Sequence, residues 1–347
     1  MTGPIELGPL VDHPRVSLII PCRNEVTYIG RCLDSIVNAW RPDRLRVMVC
    51  DGMSTDGTRE LVDDHARRHP WIERVDNPDR TTPHALDRGL RHAPFDVAII
   101  LGAHATIHEG FIKASIDALR GDATVGCAGG IIQNVYEDAR SRRIGAAMSH
   151  PFGVGNAHFR TGGRMGYVDT VAFGAYRHEV FERVGSFDLQ LIRNQDDEFN
   201  FRIVRHGLRI LLDPAIRSTY FVRGTYGRLY RQYHQYGYWK VYVNRKHRTV
   251  TTVRQLVPAA WVAALLMSVI SALVLWSLLP MALIIVPYLL ASFVAAMKAK
   301  DQWSDGPGVL VSFWVLHLAY GAGYWRGIIE LLLLGRDPAE HHSTTSR

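Results

Sequence analysis

The chain has 347 residues, of which 47% are hydrophobic and 21% charged, and its formal net charge is +7. At roughly one domain per 150 residues, this length excludes a small module held together by disulfides, and the balanced composition excludes a disordered or collagen-like chain. The averages conceal a division, because residues 255–297 contain no Asp, Glu, Lys or Arg. The composition therefore predicts that the chain divides near residue 255.

Before this division, short β-branched runs alternate with helical patterns. Residues 1–14 are interpreted as an N-terminal extension, because they lack the basic start and apolar core of a secretory signal. The predicted strands are 16–20, 45–50 and 97–101, and the predicted helices are 26–40 and 58–69. Strands that alternate with helices indicate an α/β fold with a mainly parallel sheet.

Polar residues follow each of the three predicted strands. They occupy 21–25, 51–57 and 102–104, at the carboxyl end of the strand in each case. Because the carboxyl ends of parallel strands meet at one edge of a sheet, and ligands of open α/β sheets bind there, we expect these three clusters to converge on a binding site.

Residues 231–254 are predicted to form a basic, aromatic segment at a membrane surface. The stretch 214–254 has no acidic residue and nine basic ones: Arg217, Arg223, Arg228, Arg231, Lys240, Arg245, Lys246, Arg248 and Arg254. Such a run needs an anionic partner or a membrane surface. Its seven tyrosines would also suit nucleic acid. Its position beside an apolar segment favours anionic membrane lipid instead, and no nucleic-acid partner is expected.

Residues 255–334 are predicted to be a membrane region of two or three helices, followed by a tail over 335–347. Its apolar stretches are 256–279, 281–297 and 309–325. The first is long enough, at about 1.5 Å per residue, to cross a bilayer core of roughly 30 Å. Buried core helices of a soluble protein are the alternative. Because cations precede the first stretch, the positive-inside rule predicts a multi-pass protein of the cytoplasmic (inner) membrane with its N-terminal domain in the cytoplasm.

Several motifs in this order carry a resemblance to a known family. Residues 17–25 (SLIIPCRNE) and 51–58 (DGMSTDGT) resemble the nucleotide-sugar half of family 2 glycosyltransferases with the GT-A fold. Residues 168–176 (VDTVAFGAY), 194–202 (NQDDEFNFR) and 231–240 (RQYHQYGYWK) are similar to the succinoglycan-type glucosyltransferase subfamily of exopolysaccharide synthesis. The resemblance covers about residues 15–250. It implies a Rossmann-like GT-A domain over 15–230, followed by C-terminal transmembrane helices.

The resemblance also implies roles for individual residues. The donor-binding residues are expected to be Pro21, Arg23, Glu25, Asp51, Gly52, Arg80 and Ala103, with Glu25 and Asp51 against the nucleoside. Asp196 is expected to be the catalytic base, because it precedes Arg202 by six residues, as the family's catalytic aspartate precedes its arginine. The expected acceptor-binding residues are Asp197, Gly174 and Trp239. A turn-capping carboxylate is the alternative for Asp51, and a helix N-cap is the alternative for Asp196. Asp197 and Glu198 could substitute for Asp196 in either role.

The sequence departs from the family at two motifs. An acidic DxD motif usually follows the third strand, and here it reads Gly102-Ala103-His104. His104 is therefore the expected ligand of a divalent cation, Mn²⁺ or Mg²⁺, with a neutral hydrogen-bonding role as the alternative. The QxxRW motif reads 235–239 with Tyr238 in place of arginine, which favours addition of one sugar over polymerisation. Exposure to lipid is the alternative for Trp239.

Together these features predict a membrane-anchored, inverting glycosyltransferase. It is expected to move one sugar from a nucleotide donor, by default a UDP-sugar, to a lipid-linked saccharide acceptor in cell-surface polysaccharide or glycolipid synthesis. One alternative is a catalytically inactive scaffold in a polysaccharide-assembly complex, which the missing carboxylate at Gly102 favours. Another is a sugar transferase that acts on polyprenyl phosphate.

Overall fold

The computed structural model describes residues 5–155, 157–222 and 224–338. Parts of the predicted N-terminal extension (1–4) and tail (339–347), and Arg223 of the basic stretch, lie outside the described residues. The chain forms two compact units. The first comprises Met1–Asn134 and His158–Phe221, and the second comprises Val135–Ala157 and Val222–Arg347.

A nine-stranded sheet runs through the described residues. Its strands are β1 Val16–Cys22, β2 Leu45–Asp51, β3 Ile72–Asp76, β4 Val97–Ile100, β5 Ala105–Ile107, β6 Val125–Val135, β7 Gly166–Tyr167, β8 Ala172–Arg177 and β9 Arg209–Phe221. The spatial order is β3-β2-β1-β4-β8-β6-β9-β5, and β7 pairs with β9. Strands β3, β2, β1 and β4 are parallel, whereas β8 is antiparallel to both of its neighbours. The predicted α/β fold and its parallel sheet are confirmed, with antiparallel strands completing the far half.

Helices pack on this sheet where the apolar spacing predicts them. Those of the first unit are α1 Val26–Val37, α2 Thr58–Arg68, α3 Thr82–His92, α4 Phe111–Gly121, α7 His158–Thr161, α8 His178–Val184 and α9 Gln195–Arg205. Helix α1 buries Ile29, Cys32, Leu33 and Ile36, the three- and four-residue spacing of one helical face. Helix α3 approaches the sheet closely at Gly89, where an added Cβ would lie 2.5 Å from Ile19 Cγ2.

The second unit is helical over its described residues. Its elements are α5 Ala139–Met148, α6 Pro151–Val154, α10 Tyr226–His247, a 3-10 turn Val253–Leu256, α11 Val257–Leu275, α12 Leu279–Ala299, a 3-10 turn Trp303–Asp305, α13 Gly306–Gly327 and a π-helix Ile328–Leu333. Two helices, Val253–Leu275 and Leu279–Ala299, are long and apolar enough to cross a membrane. The third predicted stretch forms α13, whose buried face includes Phe313 and Leu316. Its crossing of the membrane stays a prediction.

Helix α10 contacts α13 at glycines. A Cβ on Gly237 would lie 2.1 Å from the Tyr320 carbonyl oxygen, and a Cβ on Gly323 would lie 2.0 Å from that of His234. This close approach buries Tyr238 and Trp239 to 0% and 1% exposure. Residues 231–254 were expected to rest on a membrane surface, and that stays a prediction, with Tyr238 and Trp239 packed in protein rather than facing lipid. The predicted boundary at residue 255 lies between α10 and α13, which pack together in the second unit. The two compact units therefore do not divide at that residue.

Gly237→Ala should destabilise the second unit, because its methyl group forces α10 away from α13. Overpacking of this kind costs about 1–3 kcal/mol, against a gain of up to about 1 kcal/mol in helix propensity. The matched control is Gly227→Ala in the same helix, since nothing lies within 4 Å of a Cβ there. Thermal denaturation in detergent, followed by tryptophan fluorescence, should show a lower midpoint for Gly237→Ala alone. Equal midpoints would contradict the close packing.

Candidate active site

A buried carboxylate organises the carboxyl edge of the parallel strands. Asp51, the last residue of β2, is 0% exposed and accepts hydrogen bonds from the backbone N–H and the hydroxyl of Ser54. Arg59 Nη1 of helix α2 donates to Asp51 Oδ2 at 2.9 Å, and Arg59 also pairs with Asp76 at the end of β3. The Asp51 carbonyl accepts from Asn77 N–H at 2.8 Å. These contacts are those of a turn-capping carboxylate, which is the alternative role predicted for Asp51.

The loop after β1 is joined to the loop after β2. Asn24 adopts a left-handed conformation (φ 51°), which asparagine tolerates better than most residues. Its N–H donates to Ser54 Oγ at 2.8 Å, and its side-chain oxygen accepts from Thr55 N–H at 3.0 Å. Glu25 N–H donates to Thr58 Oγ1 at 2.9 Å. Asn24 and Ser54 belong to the predicted polar clusters 21–25 and 51–57, but the sequence analysis gave them no individual role, although Asn and Ser are known to stabilise turns through their side chains.

The expected donor-binding residues follow the ends of four parallel strands. Pro21 and Arg23 lie at the end of β1, Gly52 follows β2, Arg80 follows β3 and Ala103 follows β4. The stem of Arg23 covers Gly52, where an added Cβ would lie 3.2 Å from both Cβ and Cδ of Arg23. Arg80 is exposed, with a left-handed backbone (φ 60°). The structure thus brings these residues to one edge of the sheet, as the sequence predicts.

The cluster after β4 brings a histidine beside a buried glutamate. His104 Nδ1 lies 3.7 Å from Glu25 Oε1, and Glu25 is 4% exposed. The His104 ring also packs edge-on against Tyr220, with centroids 4.9 Å apart. The described residues contain no group of three or more His, Cys, Asp or Glu side chains that could hold a metal ion. His104 and Glu25 offer two side-chain donors, and the binding of a divalent cation by His104 stays a prediction.

The predicted base lies at the start of α9. The helix begins at Gln195 and Asn194 occupies the N-cap position, so the N-cap alternative for Asp196 is wrong. Asp196 is in contact with solvent, yet protein surrounds it. This partial burial raises the pKa of Asp196, and the neighbouring carboxylate of Asp197 raises it further. A reachable carboxylate with a raised pKa suits a general base.

The adjacent glutamate, Glu198, has a structural role. Glu198 is 0% exposed, and both of its oxygens accept hydrogen bonds from Arg202, each at 2.9 Å. Arg202 also donates to the carbonyl oxygens of Val184 and Ser186, each at 2.7 Å. Glu198 is therefore unsuited to replace Asp196 as base. The arginine six residues after Asp196 anchors α9 to the segment that follows α8.

The expected acceptor-binding residues lie in three different settings. Asp197 is next to Asp196, and its N–H donates to Asp196 Oδ1 at 2.9 Å. Gly174 lies within β8, where an added Cβ would come within 2.8 Å of the Tyr176 hydroxyl oxygen. Trp239 belongs to the second unit and is 1% exposed, so its ring does not face lipid. Contact of these three residues with an acceptor stays a prediction.

Comparison with known proteins identifies similar chains. The family model described as "Glycosyltransferase like family 2" matches residues 13–252. The succinoglycan biosynthesis protein ExoA of Rhizobium meliloti (strain 1021) is 28% identical over 325 residues, covering 90% of this chain and 94% of that protein. The dolichyl N-acetyl-alpha-D-glucosaminyl phosphate 3-beta-D-2,3-diacetamido-2,3-dideoxy-beta-D-glucuronosyltransferase of Methanococcus voltae is 26% identical over 324 residues, covering 91% and 97%.

A solved structure shares the fold. The mannosyltransferase PcManGT from Pyrobaculum calidifontis, in complex with GDP-Man and Mn²⁺, matches with a TM-score of 0.61 at 20% identity. The match covers 93% of this chain and 89% of that one. At this identity the likeness concerns the fold alone.

Asp51→Asn should destabilise the protein, because it removes the buried charge that pairs with Arg59. Loss of such a charge-assisted hydrogen bond typically costs about 1–3 kcal/mol. The matched control is Asp76→Asn, since Asp76 also pairs with Arg59 but its side chain is 53% exposed. A surface pair is worth at most about 1 kcal/mol. Denaturation midpoints of the two variants in detergent test this difference, and equal losses would rule out a special role for Asp51.

Proposed function

Because the chain belongs to glycosyltransferase-like family 2, we propose that it transfers a single sugar from a nucleotide-sugar donor to a lipid-linked saccharide acceptor, with inversion at the anomeric carbon. The chain is a glycosyltransferase with the mixed α/β GT-A fold that the sequence predicts. The observation that carries the finer proposal is Asp196. Its accessible carboxylate with a raised pKa stands at the first turn of α9, in the same unit as the loops around Asp51.

The reaction needs a base for the acceptor hydroxyl. The hydroxyl oxygen attacks the anomeric carbon from the face opposite the leaving group, and its proton passes to a carboxylate oxygen of Asp196. The bond between the anomeric carbon and the diphosphate oxygen breaks, and its electron pair leaves with the diphosphate. The raised pKa makes the Asp196 carboxylate a stronger proton acceptor than an ordinary aspartate. PcManGT is described with Mn²⁺, and a divalent cation at the donor diphosphate would stabilise the negative charge that the leaving group gains.

Donor binding draws on the loops after β1 and β2. Asp51 is fully buried and already accepts three hydrogen bonds, so we propose that it orders these loops and acts on the nucleoside through them. Glu25 and Arg23 offer a carboxylate and a cation at the same edge. PcManGT is described with GDP-Man, and a UDP-sugar is the default of the resembled subfamily, so both nucleotides are candidates.

A lipid-linked acceptor accounts for the second unit. Two of its helices could cross a membrane, and their exposed side chains include Leu273 and Val274, both 71% exposed. The name of the Methanococcus voltae relative specifies a dolichyl N-acetyl-alpha-D-glucosaminyl phosphate acceptor, which is a lipid-linked sugar. We propose a multi-pass protein of the cytoplasmic membrane with the catalytic unit in the cytoplasm, because Arg245, Lys246 and Arg248 precede the first of these helices.

Transfer assays on the purified full chain test the proposal. The donors are a panel of UDP- and GDP-sugars, and the acceptors are a polyprenyl-diphosphate-linked sugar and, separately, polyprenyl phosphate. We expect one sugar to be added to the lipid-linked sugar with inverted anomeric configuration. Transfer to polyprenyl phosphate alone would support the polyprenyl-phosphate transferase instead. Nucleotide binding without transfer to either acceptor would support the inactive scaffold, which the absent carboxylate at Gly102 favours.

Asp196→Asn should abolish most turnover while preserving donor binding, because the amide keeps the shape of the side chain but cannot take a proton. Loss of a general base typically costs a factor of about 10²–10⁴ in rate. Because its pKa is raised, wild-type activity should fall with decreasing pH through a midpoint above the ordinary aspartate value of 3.8. Asp197→Asn is the control, and it should retain more activity. The reverse ranking in steady-state assays would identify Asp197 as the base.

A further inference from the structure

One half-buried arginine in the first unit has a guanidinium nitrogen without a partner. Arg160 lies in the four-residue helix α7, and its Nη1 is buried and makes no hydrogen bond with any described residue. A buried charged donor left unpaired costs free energy, and native structures rarely keep one without a reason. A bound anion would supply the missing acceptor.

Arg160 is close to the cluster that follows β4. Its guanidinium carbon lies 5.6 Å from the centroid of the Tyr220 ring. His104 also contacts that ring, with ring centroids 4.9 Å apart. Arg160 and His104 therefore contact the same aromatic ring, and His104 belongs to the sequence Gly102-Ala103-His104 that stands in place of the family's acidic motif.

Arg160 also acts on the proposed base. Its positive charge opposes the rise in the pKa of Asp196 that burial and Asp197 produce. Arg160 therefore contacts the Tyr220 ring and acts electrostatically on the proposed base. The charge that develops during sugar transfer is on the leaving diphosphate.

Three other arginines of the first unit have carboxylate partners. Arg59 is paired with Asp51, and Arg202 is paired with Glu198. Arg88 Nη2 lies 2.8 Å from Asp79 Oδ2, although its Nε is also buried without a hydrogen-bond partner among the described residues. Of the two expected donor-binding arginines, Arg80 is exposed and the stem of Arg23 covers Gly52. Arg160 combines an unpaired nitrogen with a position beside the Tyr220 ring and an electrostatic effect on Asp196.

We propose that Arg160 is a catalytic residue that binds the diphosphate of the donor and stabilises its charge as the sugar leaves. This inference rests on the proposed function. As the bond from the anomeric carbon breaks, the diphosphate keeps the electron pair and gains negative charge. The planar guanidinium can donate two parallel N–H hydrogen bonds to phosphate oxygens. These hydrogen bonds become stronger as the negative charge on the diphosphate grows. Arg160 thereby supplies positive charge on the side of the Tyr220 ring that also contacts His104.

The experiment compares Arg160→Gln with Arg164→Gln in the full-length protein. Arg164 is an exposed cation four residues along the same segment, so its variant controls for net charge. The probes are UDP, GDP, uridine and guanosine, titrated calorimetrically in EDTA and in Mn²⁺. Arg160→Gln should lower the affinity for the preferred nucleoside diphosphate by about 10- to 100-fold and leave the affinity for the corresponding nucleoside unchanged. Turnover should fall by about 10²–10³. Arg160→Lys should restore part of both losses, because it keeps the charge without the planar fork.

The outcomes separate the inference from the function on which it rests. If the wild type binds neither UDP nor GDP, both the proposed function and the role of Arg160 fail. If the wild type binds one of them and Arg160→Gln binds it equally well, only the role of Arg160 fails. If Arg160→Gln lowers the affinities for the nucleoside and for the nucleoside diphosphate equally, Arg160 has a structural role, and the inference is overturned. The acid limb of the activity profile should move to higher pH in Arg160→Gln, because the Asp196 carboxylate loses a stabilising charge, whereas an unmoved limb would count against the inference.

Discussion

The buried carboxylate of Asp51 is the constraint on which the first unit's site depends. A full charge without solvent is tolerated only where hydrogen bonds and a counter-ion replace water, and here Ser54 and Arg59 do so. Because Ser54 also binds Asn24, and Arg59 also binds Asp76, the ends of β1, β2 and β3 are fixed relative to one another. The polar edge of the sheet is therefore preorganised before any ligand arrives.

The proposed base owes its properties to two opposing effects at one helix terminus. The first turn of α9 favours negative charge, because unpaired backbone N–H groups and the helix dipole point toward it. Partial burial and the adjacent Asp197 disfavour the charge on Asp196, and the net result is a raised pKa. Glu198, two residues after Asp196, is buried and paired with Arg202, which neutralises its charge. Asp196 and Glu198 thus lie in different environments although they are two residues apart.

Local patterns predicted the strands and the loops at their carboxyl ends, because alternation and turn residues are features of short stretches. The role of Asp196 came from the family resemblance and stays a prediction. Local patterns could not predict contacts between distant segments. The aromatic face of α10 has the same composition whether it meets lipid or protein, and only the later glycines of α13 decide that it is buried. Residues 135–157 likewise belong with the C-terminal helices, which no local pattern signals. The unpaired nitrogen of Arg160 became evident only with the packing around it.

The ion pairs of helix α5 have a consequence for biosynthesis. Arg142 and Arg143 both bind Asp305, which is 1% exposed, and Arg142 precedes its partner by 163 residues. At a synthesis rate of about 5–20 residues per second, α5 waits on the order of 10–30 s after leaving the ribosome before Asp305 exists. By then both apolar helices, Val257–Leu275 and Leu279–Ala299, have been made. Completion of the second unit therefore follows synthesis of both apolar helices, and a chain that stalls before Asp305 leaves Arg142 and Arg143 without this partner and exposes an incomplete helical core to chaperones and proteases.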